Sequence, residues 1–181
     1  MRFPFFCKLK ADIAANHKSG TFSAQSMLAC LLFSSGFQLL LLHRIQHALL
    51  DMTPIGKIVA KLLFMVTKWL YPCDINPNAT LAGGIRIPHA VGIIIARDAK
   101  IEKNVTLYQH VTIGQKHEND AVAPTIEEGA IIYAGAVLGG AITIGAGAVV
   151  GANAVVMQSV PAGYLAVGIP ARLSERNIIP Q

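Results

Sequence analysis

The sequence contains few charged residues, few aromatic residues and few cysteines, and each shortage excludes a class of protein. Charged residues make up 14% of the 181 residues and hydrophobic residues 53%, so the chain can bury a large core and is not intrinsically disordered. Cys7, Cys30 and Cys73 are widely spaced and form no CxxC pair or Cys/His quartet. This spacing argues against a disulfide framework and against a structural zinc site.

The N-terminal segment also lacks the features of a secretory signal. Residues 1–18 contain no long apolar stretch and no small-residue cleavage site, so we expect a cytoplasmic protein with reduced thiols. The chain carries 15 basic and 10 acidic residues, a net charge of +5, without a basic run or a stripe of basic and aromatic residues. This balance favours an anionic small ligand and gives no support for nucleic acid binding.

Two regions of different composition meet near residue 72, and the first has the pattern of α-helices. Ser23 or Ser26 is placed to cap a helix that continues to about Leu50. Pro54 is placed to open a second helix, which continues to about Tyr71. Neither apolar run reaches the roughly 18 uncharged residues of a membrane-spanning helix. Two uses of the apolar surface stay open: packing against the rest of the protein, which we favour, and peripheral contact with the inner face of the cytoplasmic membrane.

The second region carries an internal repeat of six residues. Thirteen aliphatic residues mark it, and ten of the twelve steps between them are six residues long. The exceptions are a step of eight that ends at Ile95 and a step of thirteen that ends at Ile126. The thirteen residues are Ile75, Leu81, Ile87, Ile95, Ile101, Leu107, Ile113, Ile126, Ile132, Leu138, Ile144, Val150 and Val156.

A period of six fits neither an α-helix nor an alternating strand, but it fits a short strand followed by a tight turn. Three such steps close a coil of about eighteen residues, so the repeated side chains stack inside a triangular prism. The predicted fold class is therefore mainly β: a parallel β-helix with an N-terminal α-helical region. We divide the chain into a helical region (1–72), a β-helix domain (73–173) with one protruding loop (114–125), and a C-terminal tail (174–181).

Several motifs of the repeat region resemble those of a known enzyme family. They are DINPNA at 74–79, IGAGAV at 144–149, VGANAV at 150–155 and VGIPAR at 167–172. With these motifs the chain resembles the left-handed parallel β-helix acyltransferases, and among them the serine acetyltransferases and their shorter relatives. The resemblance implies the left-handed turn of the coil, which the spacing leaves open. In length the chain is most similar to short members of capsule and exopolysaccharide biosynthesis, such as the colanic-acid acetyltransferases.

The resemblance implies a catalytic pair at His89 and Asp74. In serine acetyltransferases a His and an Asp at the matching positions serve the transfer of an acetyl group from acetyl-CoA to a hydroxyl. An imidazole suits this reaction because it accepts the hydroxyl proton at neutral pH, and a carboxylate on its other nitrogen holds the ring. Cys73 offers an alternative nucleophile. We favour the His–Asp pair, because the family transfers the acetyl group directly.

The resemblance also implies the site of the co-substrate. In this family acetyl-CoA lies in a groove between neighbouring prisms of a homotrimer. The matching positions here are Ala134, Gly135 and Ala152, with Arg172 near the nucleotide phosphates. Small residues let the pantetheine arm approach the backbone, and an arginine supplies a fixed positive charge for phosphate.

No metal is expected. His43 and His47 have the i, i+4 spacing of a metal-binding pair. The stretch that contains them, HRIQH, also matches a helical segment of the family that carries no metal. We therefore expect these side chains to pack the helical region against the first coils.

The sequence departs from the serine acetyltransferase pattern on the acceptor side of the site. Pro88 stands where that family has an Asp before its catalytic His, and Val122 and Ala123 stand where it has the Arg-His pair that holds the amino acid. His110, just before the loop, and His117, within it, are the candidate substrate-binding residues. For each of them a structural or solvated role is the alternative.

These departures lead to three functional predictions. The leading one is an acetyl-CoA-dependent O-acetyltransferase that acts on a sugar hydroxyl of a surface or exopolysaccharide precursor. The alternative is a serine O-acetyltransferase of cysteine biosynthesis. The remote alternative is a non-catalytic β-helix scaffold, which the presence of His89 and Asp74 disfavours.

Overall fold

The computed structural model describes residues 5–50, 52–115 and 122–175. Four helices come first: α1 Phe5–Asn16, α2 Ala24–Phe33, α3 Ser35–Leu50 and α4 Pro54–Leu70. Short strands follow: β1 Asp74–Ile75, β2 Thr80–Leu81, β3 Ile94–Ile95, β4 Lys100–Ile101, β5 Thr106–Leu107, β6 Thr112–Gly114, β7 Thr125–Ile126, β8 Ile131–Ile132, β9 Val137–Gly139, β10 Thr143–Ile144, β11 Val149–Val150, β12 Val155–Val156, β13 Tyr164–Val167 and β14 Arg172–Glu175.

The prediction of a single helix from Ser23 or Ser26 to about Leu50 is wrong in one respect, because the helix is interrupted at Ser34. Ser23 does cap α2: its side chain accepts a hydrogen bond from the Ser26 backbone, and the Ser26 side chain returns one to the Ser23 backbone. Ser34 leaves the helical conformation and its hydroxyl accepts a bond from Phe37 N at 3.3 Å, so α3 starts anew at 96° to α2. Helix α1 was not predicted at all.

Helix α4 starts where the sequence placed it. Thr53 is the N-cap, and its hydroxyl accepts a hydrogen bond from Gly56 N at 3.0 Å, with Pro54 in the first turn. The helix ends at Leu70, one residue before the expected end. Among the described residues no single helix is long and apolar enough to cross a membrane, while α2 and α3 taken together pass that test by length and composition alone.

The strands form a three-sided parallel β-helix, which confirms the predicted fold class. Sheet A has the order β1-β3-β6-β9-β12, sheet B the order β10-β7-β4-β2, and sheet C the order β14-β13-β11-β8-β5. Within sheet A, Ile94 pairs with Thr112 and Val137 with Val155, each eighteen residues further along the chain. The chain passes from sheet A to B to C and back to A, one coil at a time.

The thirteen repeated aliphatic residues fill the core of the prism. All of them are buried, and the most exposed, Ile75, shows 4% of its surface. Val91, four residues after Ile87, is only half-buried, because the step of eight inserts two residues there and Ile93, two residues before Ile95, takes the buried place. The repeat therefore predicts the inside of the prism nearly residue by residue.

Two coils are longer than eighteen residues, as the two irregular steps predict. Asp74 pairs with Ile94, twenty residues away, and Thr112 pairs with Val137, twenty-five residues away. Strand β6 ends at Gly114 and β7 begins at Thr125, so the long step lies between sheets A and B. Residues 116–121 of the predicted loop lie outside the described residues.

Helix α1 is fixed to the first coil by buried polar contacts. Asp12 is fully buried and accepts hydrogen bonds from Gly84 N at 2.9 Å, Ile85 N at 3.2 Å and Arg44 Nε at 3.2 Å. Burial raises the pKa of the Asp12 carboxyl by more than the Arg44 guanidinium lowers it. Asn16 adds two bonds, from its amide to Ile85 O at 2.8 Å and from Ile87 N to its oxygen at 3.1 Å.

Helix α3 lies against the same coil. Arg44 also donates to the carbonyls of Leu81 and Ala82, and Gly36 packs so closely on Ile87 that a Cβ at Gly36 would lie 1.9 Å from the Ile87 carbonyl oxygen. Glycine is required there because any other side chain would overlap backbone. The helical region is therefore packed directly on the coil that leads to His89.

The C-terminal end of the prism is closed by a reversed strand. Strand β14 pairs antiparallel with β13, with Val167 opposite Arg172 and Tyr164 opposite Glu175. The strand spans the division between β-helix and tail that we placed after residue 173. That division stays a proposal.

Candidate active site

The predicted site residues lie along one corner of the prism, where sheet C passes into sheet A; we call it the C–A corner. His89 is exposed in the segment that links Ile87 to β3, and its carbonyl accepts from Val91 N at 3.0 Å. Asp74 is half-buried in β1, the neighbour of β3. Gly92 N donates to Pro72 O at 2.7 Å, so the His89 segment lies beside the residues that lead into β1.

Within the described ranges no hydrogen bond or ion pair joins His89 to Asp74. Instead, Asp74 Oδ2 accepts from Lys68 Nζ at 2.5 Å, with the two side chains 42% and 45% exposed. The other carboxylate oxygen of Asp74 accepts no bond from the described residues. Lys68, in the last turn of α4, is the contact that sequence reasoning missed, since no spacing rule links that turn to β1.

His110 occupies the next coil of the C–A corner. Its backbone has φ +58°, the left-handed conformation that Asn104 and Asn153 adopt at other turns. His110 N donates to Val91 O at 2.9 Å, and the ring covers Gly92 so closely that a Cβ there would lie 2.1 Å from Nδ1. The structure thus gives His110 a turn position beside the His89 segment. His117 lies outside the described residues.

The predicted co-substrate residues continue the same corner. Gly135 N donates to Gln109 O at 3.0 Å and Asn153 N donates to Ala134 O at 2.9 Å, so Ala134 and Gly135 lie between the His110 turn and the Ala152 turn. Ala152 is exposed, and Ala134 and Gly135 are half-buried. The absence of long side chains leaves the backbone of this corner accessible to an extended ligand.

Arg172 lies at the far end of this line of residues. It is exposed at the start of β14, opposite Val167 of β13. Val167 in turn lies against Gly151, where a Cβ would come within 2.7 Å of its side chain. Gly151 directly precedes Ala152, so Arg172 offers a positive charge near the last turn of the C–A corner.

Cys73 does not have the environment of a nucleophile. It is 5% exposed in the prism core, and burial raises the pKa of its thiol. A thiol held protonated in an apolar site is inert, since the thiolate is the reactive form. The preference for the His–Asp pair over Cys73 agrees with this environment.

His43 and His47 pack the helical region against the first coil, as predicted. His43 Nε2 lies 3.3 Å from Asn76 O, and His47 Nδ1 lies 2.8 Å from Pro77 O. Burial, with Arg44 nearby, lowers the pKa of His43 to about 3, so its imidazole is neutral. In the three described segments no group of three or more His, Cys, Asp and Glu residues is arranged to hold a metal ion.

On the acceptor side of the corner, none of the three residues that differ from the serine acetyltransferase pattern is a cation. Pro88 is half-buried, Val122 is exposed and Ala123 is buried. Leu107 N donates to Arg86 O, so Tyr108 follows in the coil next to Pro88, and its ring stacks on Tyr133 with centroids 5.0 Å apart. Sequence reasoning missed this pair. Each tyrosine comes directly after a repeated aliphatic residue, Leu107 or Ile132, and this spacing was the available signal.

Comparisons with known proteins agree with this architecture. Residues 123–158 match the family model described as bacterial transferase hexapeptide (six repeats). The serine acetyltransferase of Bacillus subtilis (strain 168) is 35% identical over 174 residues, which cover 96% of this chain and 79% of that protein. The matches point to serine acetyltransferases and not specifically to colanic-acid acetyltransferases.

Solved structures give the same result. A serine acetyltransferase in complex with CoA superimposes with a TM-score of 0.82 at 32% identity, covering 94% of this chain and 69% of that one. The soybean serine acetyltransferase complexed with serine gives 0.84 at 34% identity, covering 94% and 69%. These similarities extend over nearly the whole chain, helices included. The chain therefore belongs to the hexapeptide-repeat acyltransferases, in the family of the serine acetyltransferases.

Proposed function

We propose that the protein is an acetyl-CoA-dependent O-acetyltransferase in which His89 is the general base. The observation that carries the proposal is the single C–A corner, which holds the His89, His110, Ala134–Gly135 and Ala152 turns in four successive coils. Parallel strands lie about 4.8 Å apart, so the three steps from the His89 turn to the Ala152 turn span about 14 Å. An extended co-substrate bound along this line brings its thioester to His89.

The proposed reaction is a direct transfer. His89 takes the proton of the acceptor hydroxyl as its oxygen attacks the thioester carbonyl carbon. The carbon–sulfur bond breaks, and the imidazolium returns the proton to the leaving CoA thiolate. Asp74 is the positioning residue for the imidazole. Lys68 binds only its Oδ2, which leaves Oδ1 to accept from the ring.

For the co-substrate we propose acetyl-CoA, held by Ala134, Gly135 and Ala152 along the backbone and by Arg172 at the phosphates. A relative of this fold binds CoA. Arginine is suited to phosphate because its guanidinium is always charged and donates in a fixed geometry.

We also propose a homotrimer, with the groove at the C–A corner completed by a neighbour. The outward positions of the three sheets differ in a way that supports this. Sheet B carries polar residues outward, Thr80, Lys100, Thr125 and Thr143, whereas sheet A exposes Ile94 by 47% and Val137 by 37%. Apolar side chains on one outer face favour its burial against another copy.

For the acceptor, similarity favours L-serine, since the relatives and structures named above are serine acetyltransferases. This supports the alternative of the sequence analysis better than its leading prediction. A cytoplasmic enzyme of cysteine biosynthesis is the corresponding role.

A sugar hydroxyl of a polysaccharide precursor is the second candidate, and the acceptor side of the site favours it. Pro88, Val122 and Ala123 supply no charge to an amino acid, and an unpaired carboxylate in a partly dry site costs on the order of a few kcal/mol. The stacked Tyr108–Tyr133 pair next to Pro88 offers an apolar face of the kind that a sugar ring can cover.

The test is thiol release from acetyl-CoA by the purified full chain, with L-serine and separately with a panel of sugars and oligosaccharides. His89→Ala should lower kcat by about 10²- to 10⁴-fold. Thr143→Ala, on the outer face of sheet B, which does not form the C–A corner, is the control and should leave kcat unchanged. Full turnover in His89→Ala would refute the catalytic assignment of His89. Absence of turnover by the wild type with every acceptor would favour the scaffold role.

The two acceptor arms give opposite results for the two candidates. Serine-dependent turnover with an inert sugar panel establishes the serine acetyltransferase. Turnover on a saccharide with none on serine establishes the second candidate, and Tyr108→Ala should then raise KM for the sugar without an equal loss of kcat.

A further inference from the structure

Helix α4 presents an apolar face to solvent, although its opposite side is packed on α3. The packed side consists of Gly56, Ala60 and Thr67, and Gln46 of α3 donates to the Thr67 hydroxyl at 2.7 Å. The exposed side chains recur at helical spacing, and Trp69 shows 88% of its surface. They are Ile55, Ile58, Val59, Leu62, Met65, Val66, Trp69 and Leu70, which we call the α4 apolar face.

A row of lysines runs beside this face. Lys57 and Lys61 are four residues apart and exposed, and neither forms an ion pair with a described residue. Lys68 continues the row and binds Asp74. Helices α2, α3 and α4 contain no Asp or Glu. The α4 surface is therefore apolar along one side, cationic along the next, and without acidic residues.

We propose that the α4 apolar face binds a membrane surface of anionic lipids, with α4 lying in the plane of the interface. An apolar stripe with a tryptophan, flanked by lysines, is the pattern of helices that bury one face at the boundary of headgroups and acyl chains. The lysines meet the negative charge of the headgroups. At 17 residues α4 binds the surface and does not cross the bilayer.

Charge complementarity favours lipid over a second copy as the occupant. A two-fold contact through this face brings the lysine rows of both copies together, and α2, α3 and α4 offer no carboxylate to neutralise them. An anionic bilayer neutralises the lysines and covers the apolar side chains in the same contact.

Trp69 makes the test direct, because it is the only tryptophan of the chain. The full protein is mixed with vesicles of phosphatidylcholine alone or of equal parts phosphatidylcholine and phosphatidylglycerol. We expect the Trp69 emission to shift to shorter wavelength only with the anionic vesicles, together with flotation of the protein. Added salt should reverse both effects.

The variants separate charge from apolar contact. Lys57→Gln/Lys61→Gln should weaken binding to anionic vesicles about fivefold per lysine, roughly 25-fold in total. Lys18→Gln/Lys100→Gln removes the same charge from exposed positions outside α4 and should leave binding within a factor of two or so. Leu62→Ser/Val66→Ser should abolish the emission shift.

Three results would overturn the proposal. They are no shift with anionic vesicles, equal binding to neutral vesicles, and equal weakening by the two lysine double variants. A shift without vesicles that grows with protein concentration, together with a larger assembly in solution, would identify a second copy as the occupant. All of these readouts are independent of acetyl transfer.

Discussion

Replacing Asp12 by alanine should destabilise the protein strongly, although the residue lies far along the chain from the coil that it binds. The carboxylate is fully buried and accepts hydrogen bonds from Arg44, Gly84 N and Ile85 N. Without it, a guanidinium that is 5% exposed keeps only the Leu81 and Ala82 carbonyls as partners. Breaking one side of a buried ion pair costs about 3–5 kcal/mol, a large part of the roughly 5–15 kcal/mol of a folded domain.

The assay is urea unfolding of the full chain, followed by far-UV circular dichroism at fixed protein concentration. Asp12→Asn should lower the free energy of unfolding less than Asp12→Ala does, because the amide oxygen still accepts hydrogen bonds from Gly84 N and Ile85 N. Asp12→Leu/Arg44→Met should recover most of the loss, because an apolar pair avoids the desolvation that raises the pKa of Asp12. Asp98→Ala, an exposed acidic residue, is the control, with a change within about 0.5 kcal/mol. A loss below about 1 kcal/mol in Asp12→Ala, the range of exposed pairs, would refute the reasoning.

Three further predictions concern glycines and one histidine. Gly36→Ala should lower the free energy of unfolding by about 1–3 kcal/mol, because its Cβ overlaps a backbone carbonyl of the β-helix; an unchanged urea midpoint would contradict this. The free energy of unfolding of the wild type should fall by about 2 kcal/mol between pH 7 and pH 5 on account of His43, because in this range only the unfolded state takes up the proton. In His43→Gln this part of the pH dependence should disappear, and the same pH dependence in the variant and the wild type would refute the prediction. Gly92→Ala should lower the free energy of unfolding more than Gly147→Ala in the same urea assay. Both glycines have φ near +65°, but only Gly92 lies under the His110 ring. Equal losses would contradict this and show that the ring moves freely.

The β-helix could be predicted from the sequence because its core follows a strict period. Each repeated aliphatic side chain points inward, so the spacing alone marks the core, and the steps that end at Ile95 and Ile126 mark the two longer coils. The start of α4 could be predicted from Pro54 for a similar reason, since the preference of proline for the first turn of a helix is local.

The contacts of the helical region could not be predicted in the same way, because they depend on docking. The break at Ser34 and the close approach of Gly36 to Ile87 appear only when α3 lies on the first coil. The contact of Lys68 with Asp74 likewise needs the end of α4 to meet β1. The order of residues at the C–A corner follows from the period, whereas the partners of each polar side chain do not.

The ends of the prism determine whether the molecule stays finite. A parallel coil has unpaired backbone groups at both ends, and such groups invite further strands and growth into a fibre. At the first coil, α1 occupies these groups with side chains: Lys8 donates to Leu81 O, and Asp12 and Asn16 bind the backbone from Gly84 to Ile87. At the last coil, β14 pairs antiparallel with β13, so another copy cannot extend sheet C in the parallel register. The helical region thus caps the first coil, because side chains of α1 bind the backbone groups that could otherwise pair with a strand of another molecule.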